Sequence, residues 1–152
     1  MASTLVIAIG NTLLRDEGIG IHILHGLQSQ VGDLPDVEFL DLGSGGMSLL
    51  HHIGNRKKVI IIDCAFMNEA PATMKRFLPQ EVRSGKQLSG FSLHEGDLLK
   101  ILEIGRQIGE APDEVVIFGI QPADISPGEE LSPLLSAKLQ EYIKKVLDKL
   151  SK

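Results

Sequence analysis

Apolar residues in this chain fall into short, nearly continuous runs, separated by stretches where they recur every three or four positions. Thr4–Gly10, Val59–Asp63 and Val115–Ile120 are the continuous runs, rich in Val and Ile. Strands covered on both faces read this way, so the runs predict the inner strands of a parallel sheet. Val37–Asp41 is a fourth candidate strand. Met74–Pro79 is a fifth, expected near an edge because Pro71 and Pro79 bracket it. Between the runs, Gly20, Ile23, Leu24 and Leu27 follow helical spacing, as do Leu98, Ile101, Leu102 and Gly105. Leu131, Leu135, Leu139, Tyr142, Val146 and Leu150 form the apolar stripe of a long C-terminal helix, with Ser132-Pro133 suited to its N-cap and first turn. Met47–His52 reads as a short helix after the turn Gly43-Ser44-Gly45-Gly46, and Ser92-Leu93-His94-Glu95 has the form of a capping box, which would put His94 in a first helical turn.

The alternation of strands and helices predicts an α/β fold: a three-layer sandwich with a twisted, mostly parallel five-stranded sheet between helices. Its length of 152 residues suits one domain, 1–152. Such sheets bind ligands beyond the C-terminal ends of their strands, near the point where strand order reverses, so chemistry is sought there.

Composition narrows the function. The net charge of −5 disfavours a general nucleic-acid binder, and a strand entry accounts for the basic cluster Arg56-Lys57-Lys58. No apolar stretch is long enough to span a bilayer, and the lone Cys64 cannot form an internal disulfide, so cytoplasmic residence is the expectation. Nothing resembles an interface stripe, and a monomer is expected.

Three places on the expected rim draw attention. Asp16 and Glu17 follow the first strand; they either complement a helix N-terminus or serve a site. Asp63 ends an apolar strand, where an acid is costly unless paired or metal-bound. His94 is the third, an imidazole with either a structural or a ligating role. Two carboxylates and an imidazole together suit nickel, zinc or another divalent first-row ion. His22 and His25, at i and i+3, lack an obvious third ligand and read as structural, as do the adjacent His51 and His52. Cys64 has no motif to supply a base and reads as packing. There is no Gly-x-Ser-x-Gly elbow, phosphate-binding loop, His-Glu-x-x-His helix or dinucleotide fingerprint.

The chain resembles the hydrogenase maturation endopeptidases. The resemblance runs through Gly10-Asn11-x-Leu13-x-x-Asp16-Glu17-Gly18-x-Gly20, Asp41-Leu42-Gly43-Ser44-Gly45-Gly46-Met47, Ile62-Asp63-Cys64-Ala65, Ser92-Leu93-His94, Phe118-Gly119-Ile120-Gln121-Pro122 and Gly128-x-x-Leu131-Ser132-Pro133. These segments span essentially the whole chain in the family's order; Ser92-Leu93-His94 is the loosest match. The resemblance implies a metal held by Glu17, Asp63 and His94, with Glu17 and Asp63 catalytic and Asn11 and Asp16 supporting the loop. It implies metal-assisted hydrolysis of a peptide bond, removing the C-terminal tail of a nickel-containing hydrogenase large-subunit precursor after nickel insertion, the nickel held by the enzyme or supplied by that substrate. Gly43, Gly45 and Gly46 are expected to help dock the precursor. The alternative is a nickel-sensing binding or chaperone module that checks the precursor while another protein cuts.

Overall fold

Leu5, Val6, Ile7 and Ala8 are all inaccessible to solvent, although neighbouring strand residues point to opposite sides. Only a strand packed on both faces buries such a run. The computed structural model describes residues 2–43, 49–84, 92–93 and 98–152. It places this run in β1 (Thr4–Ala8), followed by β2 (Val37–Asp41), β3 (Lys58–Phe66), β4 (Met74–Phe77), β5 (Ser92–Leu93) and β6 (Glu114–Ile120). The sheet order is β2-β1-β3-β6-β4, parallel throughout except for β4, which runs antiparallel along β6 at the edge. The mostly parallel five-stranded sheet is as expected. The short β5 adds to it off the main path, antiparallel to the outer end of β3.

The helices are α1 (Ile19–Val31), α2 (Leu50–Ile53), α3 (Pro79–Ser84), α4 (Leu98–Gln107) and α5 (Pro133–Leu150). One face of the sheet, carrying Val6, Ile60, Ile62 and Val116, packs on Ile23, Leu24 and Leu27 of α1 and on Leu135, Tyr142 and Val146 of α5. The other face, carrying Leu5, Ile7, Ile61 and Ile117, packs on Leu49, Ile53 of α2 and Leu102 of α4. Ser132 caps α5 as its position before Pro133 suggests, its hydroxyl accepting from Leu135 N–H. The Tyr142 hydroxyl donates to the Ala72 carbonyl at 2.6 Å, and burial pushes its phenol up to about 12.

Several boundaries differ from the sequence reading. Asp63 does not end its strand: β3 runs on to Phe66, because β5 and β6 both keep pairing with it past the point where β1 has stopped. Ser92 and Leu93 form this added strand, for which the outer end of β3 offers a ladder; the other residues of the expected capping box lie outside the described residues. The short helix Pro79–Ser84 was not foreseen. Of the cluster 56–58, Arg56 is buried and donates to the carbonyls of His52 and Ala2 and to Glu38, so it ties the segment before β1 to the foot of the sheet.

The start of α1 rests directly on the strands. A Cβ at Gly20 would overlap the Ile62 carbonyl oxygen and stand 3.1 Å from that of Ile9. Replacing Gly by Ala within a helix ordinarily gains about 1 kcal/mol. Gly20→Ala is expected to reverse that sign and lose about 1–3 kcal/mol, read as a lower midpoint of urea unfolding. An unchanged or raised midpoint would show that the helix start can lift off the sheet without cost.

Candidate functional site

The strand order reverses direction at the β1–β3 junction: β1 leads through α1 outward to β2, while β3 leads the other way toward β6 and β4. This is the switch point at which the ends of neighbouring strands diverge and leave a crevice. Pairing between β1 and β3 stops at Ala8 and Ile62. The next residue of β3 is Asp63, fully buried and level with Gly119 on β6. It falls on the sheet face of Ile61 and Ala65, by the two-residue alternation of the strand.

Beyond β1 the chain turns through Gly10 to Leu14 into a 3-10 turn, Arg15–Gly18, that leads into α1. Asn11 shapes this turn, its side-chain oxygen accepting from Leu13 N–H at 2.9 Å. Gly10 packs so closely under the turn that a Cβ there would overlap the Glu17 carbonyl oxygen. Gly10 N–H also donates to the Gly43 carbonyl at 2.7 Å, and Gly43 N–H to Asp41 Oδ1 at 2.8 Å, so the loop after β2 braces the loop after β1. Gly45, Gly46 and His94 lie outside the described residues, as do residues 47 and 48 of the expected short helix.

Asp16 is the fixed point of this rim. Its carboxylate is fully buried and accepts three backbone N–H groups: Ala123 and Asp124 on Oδ2, both at 2.9 Å, and Ser132 on Oδ1 at 2.8 Å. Its own N–H donates to the Asp124 carbonyl at 3.0 Å. Arg15 N–H and Gly128 N–H cross in opposite senses to the carbonyls of Gly128 and Leu13, at 2.9 and 2.8 Å. The loop after β6 is thus fastened to the turn that carries Glu17. Sequence reasoning assigned Asp16 a supporting role but could not identify these partners, which lie more than a hundred positions away.

Glu17 is half-buried beside Asp16. Asp63, Glu17 and Asp16 all reach the Cys64 thiol electrostatically; burial is the main cause that pushes it far above its usual range, and these three acids add to it. Cys64 is therefore a buried neutral thiol facing α1 and α5, consistent with a packing role. The field of the acids is one that a cation would relieve, and oxygen donors of this kind suit a divalent ion. Among the described residues, no group of three or more His, Cys, Asp or Glu side chains assembles as a metal site. His25 lies 3.5 Å from Asp41, and burial, followed by the charge of His25, lowers the pKa of His22. Also among the described residues, no helix is long and apolar enough to cross a membrane.

Comparison with known proteins converges on one group. A family model described as hydrogenase maturation protease matches residues 21–149. The hydrogenase 2 maturation protease of Escherichia coli is 35% identical over 145 residues, covering 94% of this chain and 87% of the relative. The coenzyme F420 hydrogenase subunit delta of Methanothermobacter thermautotrophicus is 30% identical, covering 98% and 95%. The solved structure of the hydrogenase maturating endopeptidase HybD from Escherichia coli superposes with a TM-score of 0.84 over 99% of this chain and 93% of that one, at 35% identity.

Two outcomes follow from the geometry. Asp16→Asn would turn an amide donor toward backbone donors, and a loss of about 2–4 kcal/mol is expected in urea unfolding; a variant as stable as the parent would mean that the three N–H groups are satisfied without the charge. Cys64 should resist a thiol reagent at pH 8 in the native protein and react at once in guanidinium. Rapid labelling of the native form would refute its enclosure.

Proposed function

The chain belongs to the hydrogenase maturation protease family, and from that premise we propose that it removes the C-terminal extension of a nickel-containing hydrogenase large-subunit precursor once nickel has been inserted. The observation that carries this reading is the placing of two acids at the switch point: Asp63, buried on β3, and Glu17, on the turn anchored by Asp16. A protein that must recognise a loaded metal centre needs donors that are held in position before the metal arrives, and both acids stand on braced backbone.

Glu17 and Asp63, together with His94, would hold the nickel, which the precursor itself brings as part of the substrate. When bound there, the ion would polarise the scissile carbonyl or make water more acidic. The chain's own part is to bind and orient. Asn11 and Asp16 keep the Glu17 turn in one conformation. The loop that begins at Gly43, extended by Gly45 and Gly46, would receive the precursor beside them. Hydrolysis breaks the amide C–N bond, forms a C–O bond to water and passes a proton to the departing amine. The expected location is the cytoplasm and the expected working form a monomer.

Nickel-loaded precursor should lose its C-terminal tail on incubation with the purified protein, detected by mass spectrometry, while nickel-free precursor stays intact. Glu17→Gln should slow the cut at least about a hundredfold. Cleavage of both precursor forms would remove nickel recognition from the mechanism. No cleavage of a loaded, cognate precursor would favour a binding module that leaves the cutting to another protein.

A further inference from the structure

Gln121 is the first residue beyond β6 and is half-buried on the same rim as Asp63. Its backbone is held on both sides: Ala72 N–H donates to its carbonyl at 2.8 Å, and its own N–H donates to the Thr73 carbonyl at 2.9 Å. Pro122 follows, buried and with a fixed φ. The side chain then crosses to the neighbouring strand, where its oxygen accepts Met67 N–H at 2.6 Å, just past the end of β3.

That bond determines which way the amide faces. A backbone N–H can only donate, so the side-chain oxygen must meet it and the NH2 group must face away. The bond from Met67 is the side-chain hydrogen bond that Gln121 makes among the described residues. The sheet face is determined as well. A Cβ on Gly119 would touch Ala65, Phe77 and Met67, so Gly119 belongs to the face of Ile61 and Ala65. Gln121, two residues on, returns to that face, which is also the face of Asp63. The Asp63–Gly119 register puts Gln121 one strand across and two residues outward from Asp63.

We infer that Gln121 is a substrate-binding residue, its amide N–H donating to a main-chain carbonyl of the precursor segment that lies over Asp63. A peptide substrate offers such carbonyls whatever its side chains, and a donor locked in place before binding loses little freedom in the complex. The inference rests on the endopeptidase reading, because it presupposes a peptide strand in the crevice.

Gln121→Glu separates this role from a structural one. The carboxylate keeps an acceptor for Met67 N–H and replaces the outward donor with a charged acceptor, so the uncharged Gln121→Met serves as its control for the added charge. With nickel-loaded precursor, KM is expected to rise about tenfold with kcat within about twofold, since the lost contact is made equally in the ground and transition states. The thermal midpoint should stay near that of the parent. Gln121→Met, which loses donor and acceptor together, should show the same rise in KM and a lowered midpoint. An unchanged KM in Gln121→Glu, or a rise confined to Gln121→Met, would overturn the inference and leave the endopeptidase reading intact. Absence of any cleavage by the unaltered protein would overturn both.

Discussion

The carboxylate of Asp16 is the constraint on which the rim depends. Burying a charge is costly unless hydrogen bonds replace the lost water, and here three backbone N–H groups do so. One of them belongs to Ser132, the N-cap of α5, so the acid also meets the positive end of an eighteen-residue helix. Through this single side chain the turn after β1, the loop after β6 and the longest helix become one unit. The turn and the loop would otherwise be exposed connections with their own freedom.

The second constraint is proximity. Gly20 lets α1 begin against the carbonyls of Ile9 and Ile62, and Gly10 lets the Glu17 backbone settle over the end of β1. Larger residues at either place would lift the turn away from the crevice. Close packing and the Asp16 bonds therefore act on the same few residues from opposite sides. The sheet holds the turn from below and the loop after β6 holds it from the flank.

Much of this was legible in the chain, for identifiable reasons. Continuous Val and Ile runs marked the strands buried on both faces, and the α5 stripe with Ser132-Pro133 marked the helix and its cap. The rule of the switch point then directed attention to Glu17 and Asp63. What could not be read was pairing. Nothing in Ile62-Asp63-Cys64-Ala65 says that β3 continues to Phe66, because that depends on Ser92 and Leu93 arriving from another part of the chain. The ladder that makes Ser92 and Leu93 a strand is also absent from their local pattern. The partners of Asp16 and the crossing of Gln121 to Met67 are likewise long-range facts, invisible to spacing.

Adjacent acids with different surroundings are a consequence of the turn that carries them. Arg15–Gly18 is a 3-10 turn, in which successive side chains project roughly 120° apart. With Asp16 directed into the junction of loops, Glu17 must face another way. The shorter acid is the one that fits among three converging N–H groups, while the longer one is left half-buried beside it. Exchanging the two residue types would ask the longer chain to fit a cradle built for the shorter. The order Asp-Glu within the turn is thus a structural requirement as much as a signature, and it explains why a charged residue inaccessible to solvent stands directly before one that is not.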